Sequence, residues 1–434
     1  MNNSLSDNAP RTLYMGEQML FNPMALATGE NRTRKLGTIS SGAGTYSDLT
    51  TDLIITINCN QMGRLGNFEN AYLVADINNT NEASVFLPGR GGTHMIIYSM
   101  TIAPATGSKF SDVQNYNVLM GIELAKHVDT QYLNSWGAGM FGMAEDDIGG
   151  AEIVTGGSKT LVIPFHLSSA LKLLPMWGQE SIEIRLKIAD PRTVYIGNAN
   201  LAQGEITYSN VKFIYETVDI PPDIFKSFVA HKKDTYVISG KDWYSMTATI
   251  PANNTDIEIQ IPINKASVSK VILALRTTAN IIDPTKNSLC SRNRGFYTES
   301  YLKYNGVAYP LTTVTSKATS VAEMLAELAI NNGNHLLNIS SSFVNEGGKF
   351  LTANGEADDA ATSTYGFYEF YLGNSLENDD STYSGLRVDN STLTVVLGKG
   401  VYGEDDVMAQ QTCNIFVEYQ SRYTLQNGFW KIEF

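Results

Sequence analysis

The chain has 434 residues, a formal net charge of −13, 43% hydrophobic and only 17% charged residues. That length exceeds one ordinary core and predicts two domains of about 200 residues, and the composition excludes a disordered chain. The acidic balance excludes a dedicated nucleic-acid binder, whose phosphate contacts need clustered Lys and Arg. Cys59, Cys290 and Cys413 are too few and too widely spaced for a disulfide framework or a zinc pattern. No apolar run approaches ~18 residues, and the polar N-terminus lacks the apolar middle of a secretory signal. The expectation is a mostly β protein made in a reducing cell interior.

Residues 1–45 carry no strong periodicity and read as an N-terminal arm. Within it Arg32, Arg34 and Lys35 form a basic row, read either as a solvated loop or as a contact to an acidic partner, a membrane surface or packaged nucleic acid. Strands are predicted from Thr51 onward: Thr51–Asn58, Ala71–Asn78 and Thr93–Pro104. Over Asp112–His127 the apolar residues Val113, Tyr116, Met120 and Leu124 recur at helical spacing. A Gly- and Met-rich connection, Ser135–Lys159, precedes the alternating runs Thr160–Leu167 and Ser181–Ile188. In the latter, Ile182, Ile184, Leu186 and Ile188 share one face, against Glu183, Arg185 and Lys187. Ile206–Ile220 closes this half, which spans residues 46–220. Pro221 and Pro222 then punctuate the chain, because tandem proline suits a boundary better than a strand interior. The junction is placed at 221–235.

The order of elements then repeats over 236–434. Asp256 follows Asp52 by 204 residues, Leu273 follows Leu73 by 200, and Pro310 follows Pro104 by 206, which places Tyr304 on Tyr98. A second helix, Val321–Ile330, sets Leu325 on Leu119 and starts at a Ser320/Glu323 capping box. Leu372 falls on Leu167, Leu393 on Ile182 and Ile415 on Phe213, with shifts of 205, 211 and 202. Seven ordered matches at nearly constant shift predict a duplicated domain. Two copies at this period are neither a solenoid nor a propeller. About eight short strands and one helix per copy fit a jelly roll, two four-stranded sheets face to face. The predicted fold is all-β: two tandem eight-stranded jelly rolls, each with a short helix and long loops.

No catalytic constellation is found. His94, His127, His166, His231 and His335 are scattered, and His166 sits in an alternating strand as a packed or rim residue. Gly156–Thr160 fails as a phosphate loop on spacing, and a strand follows where a helix is needed. The acidic clusters Glu145–Asp147, Glu356–Asp359, Glu377–Asp380 and Glu404–Asp406 lack the spacing of a calcium loop and read as solvated surface. No catalytic, cofactor-binding or metal residue is assigned.

Three segments resemble the double jelly-roll major capsid proteins of double-stranded DNA viruses, the lineage of adenovirus hexon, virophages and Polinton-like viruses. They are Lys303–Pro310 (KYNGVAYP), read as a strand ending in Tyr-Pro ahead of the second helix, the late pair Phe367–Leu397, and the closing strand Cys413–Gly428. The resemblance covers about residues 50–434. It implies a homotrimeric, pseudo-hexameric capsomer that tiles an icosahedral shell in the virion, with no enzymatic activity and no cofactor. Neighbouring capsomers, penton and minor capsid proteins would be its partners, and the N-terminal arm would reach an internal membrane or packaged DNA. Ser135–Lys159, Ala279–Ser300 and Ser341–Thr364 would form outward tower loops. The alternative is a two-domain β-sandwich that binds carbohydrate or a receptor through loop aromatics such as Trp136, Phe141 and Phe296.

Overall fold

The computed structural model describes residues 32–39, 44–50, 52–127, 130–144, 150–165, 174–197, 199–222, 225–226, 235–265, 267–286, 288–289, 297–315, 367–372, 385–388, 391–400 and 409–433. The helix predicted at Val321–Ile330 and the loop Ser341–Thr364 lie outside them.

Eight principal strands build the first half: β1 (Arg32–Ile39), β2 (Leu53–Asn58), β3 (Arg64–Asn79), β4 (Ile97–Pro104), β5 (Ser111–Val113), β6 (Ser158–Pro164), β7 (Ser181–Ile188) and β8 (Ile206–Asp219). Eight more build the second: β9 (Thr235–Ile250), β10 (Ile257–Ile261), β11 (Val268–Thr277), β12 (Tyr297–Tyr304), β13 (Val307–Thr315), β14 (Tyr368–Tyr371), β15 (Leu393–Gly400) and β16 (Gln411–Gln426). A last strand, β17 (Phe429–Glu433), pairs with β16.

The two halves share one pairing scheme, all antiparallel. In the first, β1 and β3 flank β8, β6 pairs with β3, β2 and β4 flank β7, and β5 pairs with β4. In the second, β9 and β11 flank β16, β14 pairs with β11, β10 and β12 flank β15, and β13 pairs with β12. Each strand finds its counterpart eight strands later. The registers agree as well: Leu73 faces Phe213 in β3/β8, and Leu273 faces Ile415 in β11/β16.

Alternation built these sheets. Ile182, Ile184 and Leu186 are buried in the first core while Arg185 and Lys187 are exposed. Ile188 is only half-buried but packs on that core. In β15, Leu393, Val395 and Leu397 are fully buried in the second core. Between β5 and β6, helix α1 (Tyr116–His127) buries Tyr116, Leu119, Met120 and Leu124 as its spacing predicts.

Four sequence expectations are corrected. Arg32–Lys35 is not a free arm: it lies in β1, hydrogen-bonded along β8 from Arg32↔Val218 to Gly37↔Phe213, before Thr38 and Ile39 cross to β2. Long pairing partners supplied the order that local periodicity lacked. Thr93–Pro104 is a 3-10 turn, Gly92–Met95, followed by a shorter strand. Lys303–Pro310 is a hairpin, because Asn305 and Gly306 both take positive φ (49° and 81°), as a two-residue turn between twisted strands requires. Pro310 therefore belongs to β13. Counting from β7 and β15, Ile182 faces Pro104 and Leu393 faces Tyr304, so Tyr304 matches Pro104 and not Tyr98. Last, Ser135–Lys159 is only partly loop. Residues 130–141 are helical with a π turn at Leu133–Gly137, and Glu152–Ile153 pairs with Val85–Phe86.

Candidate functional site

The feature that sets this chain apart from two independent sandwiches is the seam between its halves. β16 is buried along almost its whole length because it has two apolar faces. Cys413, Ile415, Val417 and Tyr419 point into the second core. Phe416 points the other way and joins Ile272, Ala274 and Phe367 in the core of the first half. A sheet packed on both faces explains why β11 and β16 read as nearly continuous apolar runs.

The polar residues of that outer face find partners across the seam. The Ser111 hydroxyl donates to Asp242 Oδ1 at 2.7 Å, and the Tyr419 hydroxyl donates to Asp242 Oδ2 at 2.9 Å. Burial pushes the Asp242 carboxyl up to about 6, against the pull of these donors, the Trp243 N–H and Lys265. Burial also brings the Lys265 ammonium, 4.2 Å from the Tyr419 ring centre, down to about 8, with Asp242 opposing. The Gln114 N–H donates to Ser245 Oγ at 2.8 Å and the Asn115 amide to Thr247 Oγ1 at 3.1 Å. At the far end Tyr423 donates to the Phe110 carbonyl at 2.7 Å, and Trp430 Nε1 donates to Gln179 Oε1 at 2.6 Å.

A charged cluster lies at the middle. Lys270 Nζ is 3.3 Å from Glu418 Oε2 and 3.8 Å from both Glu369 Oε1 and Glu123 Oε1. Glu123 comes from α1 of the first half, while the other three residues belong to β11, β14 and β16 of the second. Lys241 approaches Glu418 to 3.6 Å, and the Trp243 ring centre lies 5.0 Å from Lys270 Nζ. Burial alone would lower the Lys270 pKa, but Glu123, Glu418 and Glu369 hold it well above its ordinary value. Burial alone would raise the Glu418 carboxyl, but Lys270, Lys241 and the Ser269 hydroxyl hold it below the usual carboxylate range. An ammonium thus sits where three carboxylates converge, and the cluster joins the halves electrostatically.

The residues singled out from sequence are not gathered into one place. Trp136 is exposed, whereas Phe141 packs edge-on against buried His94 with ring centres 4.9 Å apart. Phe296 and the side chains of His127, His166, His231 and His335 lie outside the described residues, as do the four acidic clusters. Gly156, at φ 64°, turns the chain into β6, so the Gly156–Thr160 stretch is a turn and a strand. Cys59 and Cys413 are buried thiols, each pushed up to about 12 by desolvation. Among the described residues no three His, Cys, Asp or Glu side chains are placed to hold a metal, and no helix is long and apolar enough to cross a membrane. The seam residues escaped the sequence reading. Their one signal was a charge, Glu369 or Glu418, inside an otherwise apolar strand.

No family model and no curated protein sequence matches the chain. Solved structures do. The capsid protein VP54 of PBCV-1, fitted into a reconstruction of the virophage Sputnik, overlays 93% of this chain and 96% of its own length, at TM-score 0.61 and 10% identity. The Sputnik virophage structure covers 93% of this chain and 88% of its own, at 0.55 and 11%. The Faustovirus major capsid protein covers 91% and 90%, at 0.52 and 7%. The fold is a double jelly roll. In those terms β1–β8 form the first jelly roll, β9–β16 the second, and the seam is the contact that locks one to the other. At such identities the likeness is one of fold.

Proposed function

We propose that this double jelly roll is a major capsid protein whose homotrimer forms a pseudo-hexameric capsomer of an icosahedral shell. The observation that carries the reading is the overlay of more than nine-tenths of the chain, both jelly rolls in order, on viral capsid proteins. Duplication gives a reason for the trimer: two similar domains in each of three chains supply six similar corners. Residues 46–220 and 236–434 are assigned as the two jelly rolls, joined by 221–235, with β1 added to the first from the segment ahead of it. Neighbouring capsomers, penton and minor capsid proteins are the partners, and the chain acts in the virion after synthesis inside the host cell. Contact with an internal membrane or packaged DNA falls to residues ahead of β1. The role asks for shape and assembly and needs no catalytic group or cofactor.

Light scattering coupled to gel filtration tests it. The expected mass is roughly 142 kDa, three times 47.5 kDa, with hexagonal blocks or shells in negative stain. A monomer or dimer at every concentration, with no trimer in assembled material, overturns the reading. Glycan binding by such a monomer would favour the carbohydrate- or receptor-binding alternative.

A further inference from the structure

In the second jelly roll the outer face of sheet β9-β16-β11-β14 is covered by the first. One row of that face, read across paired strands, is Ser245, Phe416, Ile272 and Glu369. The same row in the first jelly roll is Leu36, Ile214, Tyr72 and Pro164. The two rows are equivalent: Phe416, Ile272 and Glu369 follow their counterparts by 202, 200 and 205 residues, the shifts that relate the paired core positions. Their surroundings differ. Phe416 and Ile272 are fully buried, but Leu36 is 70% exposed, and Ile214, Tyr72 and Pro164, with Val74 and Val162 beside them, are only half-buried. A sheet with one face in water normally turns polar residues outward. This face turns an apolar row outward, as docking surfaces do.

We propose that the Leu36–Ile214–Tyr72–Pro164 face is the seat for the second jelly roll of another copy of this chain. The seam within the chain identifies the occupant. There, β5, residues 114–115 and α1 of the first jelly roll lie on the outer sheet of the second. The counterpart of β5 in the second jelly roll is β13, whose first residue, Val307, is 61% exposed. Repeating the relation lays β13 of one copy on the apolar row of the next. The contact continues the existing seam, so seams within and between chains alternate around a ring. The charged cluster is not repeated. Lys270, Glu369 and Glu418 correspond to Asn70, Pro164 and Glu216, so the contact between chains is apolar where that within the chain is ionic.

This inference rests on the trimer proposed above, and the test separates the two. In Leu36→Glu, and in Leu36→Glu with Ile214→Lys, the far-UV spectrum and unfolding transition should match the native chain. The concentration for half-dissociation should rise at least about thirtyfold, as expected on losing a hot-spot contact. A native chain that never trimerises removes both proposals. A native trimer that the folded variants leave unchanged removes only this one. A photo-crosslinker at position 36 in the otherwise native chain gives a readout independent of variant stability. Capture of residues 307–315 from a second copy supports the seat. Capture of residues 1–31 of the same chain, or of nothing in a trimer, overturns it.

Discussion

Replacing Lys270 by Met removes the cation from the middle of the seam while keeping most of its volume. Three carboxylate oxygens lie 3.3, 3.8 and 3.8 Å from Nζ. At an effective dielectric of about 20, each contact is worth about 4 kcal/mol of attraction. Repulsion among the carboxylates and the cost of taking four charges from water offset much of that sum. What the substitution exposes is the remainder: buried acids that have lost their principal counter-charge, a situation that typically costs 3–5 kcal/mol. Loss of about that size is expected in urea unfolding at pH 7, followed by circular dichroism and by Trp243, whose ring the ammonium faces.

The pH dependence sharpens the test. In the native chain the Glu418 carboxyl is held below its unfolded value, so its contribution is full above the unfolded pKa of about 4.3 and is lost as pH falls through the lower folded one. In the Met variant burial without Lys270 raises that carboxyl, so its penalty is greatest at neutral pH and fades on acidification. The gap between the two proteins should therefore shrink between pH 7 and pH 5, and Glu418→Gln in the Met background should recover part of the loss. A deficit under about 1 kcal/mol, equal at both pH values, would show that the cluster does not hold the halves together.

Ile184→Asp or Val395→Asp places an unpaired charge in a fully closed core and should abolish soluble folded protein, whereas Glu183→Ala on the outer face should stay within about 0.5 kcal/mol in the same expression and unfolding assays. Asp242 titrates near 6 when folded, above the unfolded value of about 3.9, so its charge penalises the native chain at neutral pH and the penalty fades as pH falls through 6 toward 4. Between pH 7 and pH 4 the native chain should therefore gain about 2–3 kcal/mol relative to Asp242→Asn, measured as the difference of their unfolding free energies. Gly107 has φ 115°, and a Cβ there would stand 2.4 Å from the Trp430 carbonyl oxygen. Gly107→Ala should cost about 1–3 kcal/mol, and an unchanged midpoint would mean that β17 does not seat against residues 106–108.

Much of the fold was legible because its information is periodic. Leu73, Phe213, Leu273 and Ile415 were matched by sequence shift and are paired across β3/β8 and β11/β16. The shift of 205 between Leu167 and Leu372 is likewise the one that relates Ile163 to Tyr368, the partners of Leu73 and Leu273. The Tyr98–Tyr304 match failed for a local reason. The Asn305–Gly306 turn ends β12 after Tyr304, while the first jelly roll runs to Pro104 and takes a longer connection, so the shared Tyr-Pro spacing was coincidental. β1 was missed because Arg32–Ile39 has no alternation of its own and is ordered by β8. The seam was missed for a different reason. Periodicity reports which residues share a face but not what lies opposite, and Glu123, Lys270 and Glu418 are far apart in sequence.

The duplicated halves keep their inner faces alike and diverge on their outer ones, and that division has a physical cause. Inner faces answer to the same packing problem, so Leu, Ile, Val and Phe exchange freely between equivalent positions at little cost in volume. Outer faces answer to different neighbours. The covered face of the second jelly roll carries Lys270, Glu369 and Glu418, whose attraction to Glu123 and Lys241 depends on position far more sharply than apolar contact does. Apolar surfaces tolerate sliding, whereas a buried ammonium among three carboxylates tolerates none without leaving a charge unmatched. The ionic seam therefore fixes how one jelly roll sits on the other within each chain. The equivalent face of the first jelly roll carries Leu36, Ile214 and Tyr72 instead, a surface able to associate after folding is complete without burying new charge. A chain built this way sets its internal geometry first and leaves the contact between copies to apolar burial, which is the order that assembly from folded subunits requires.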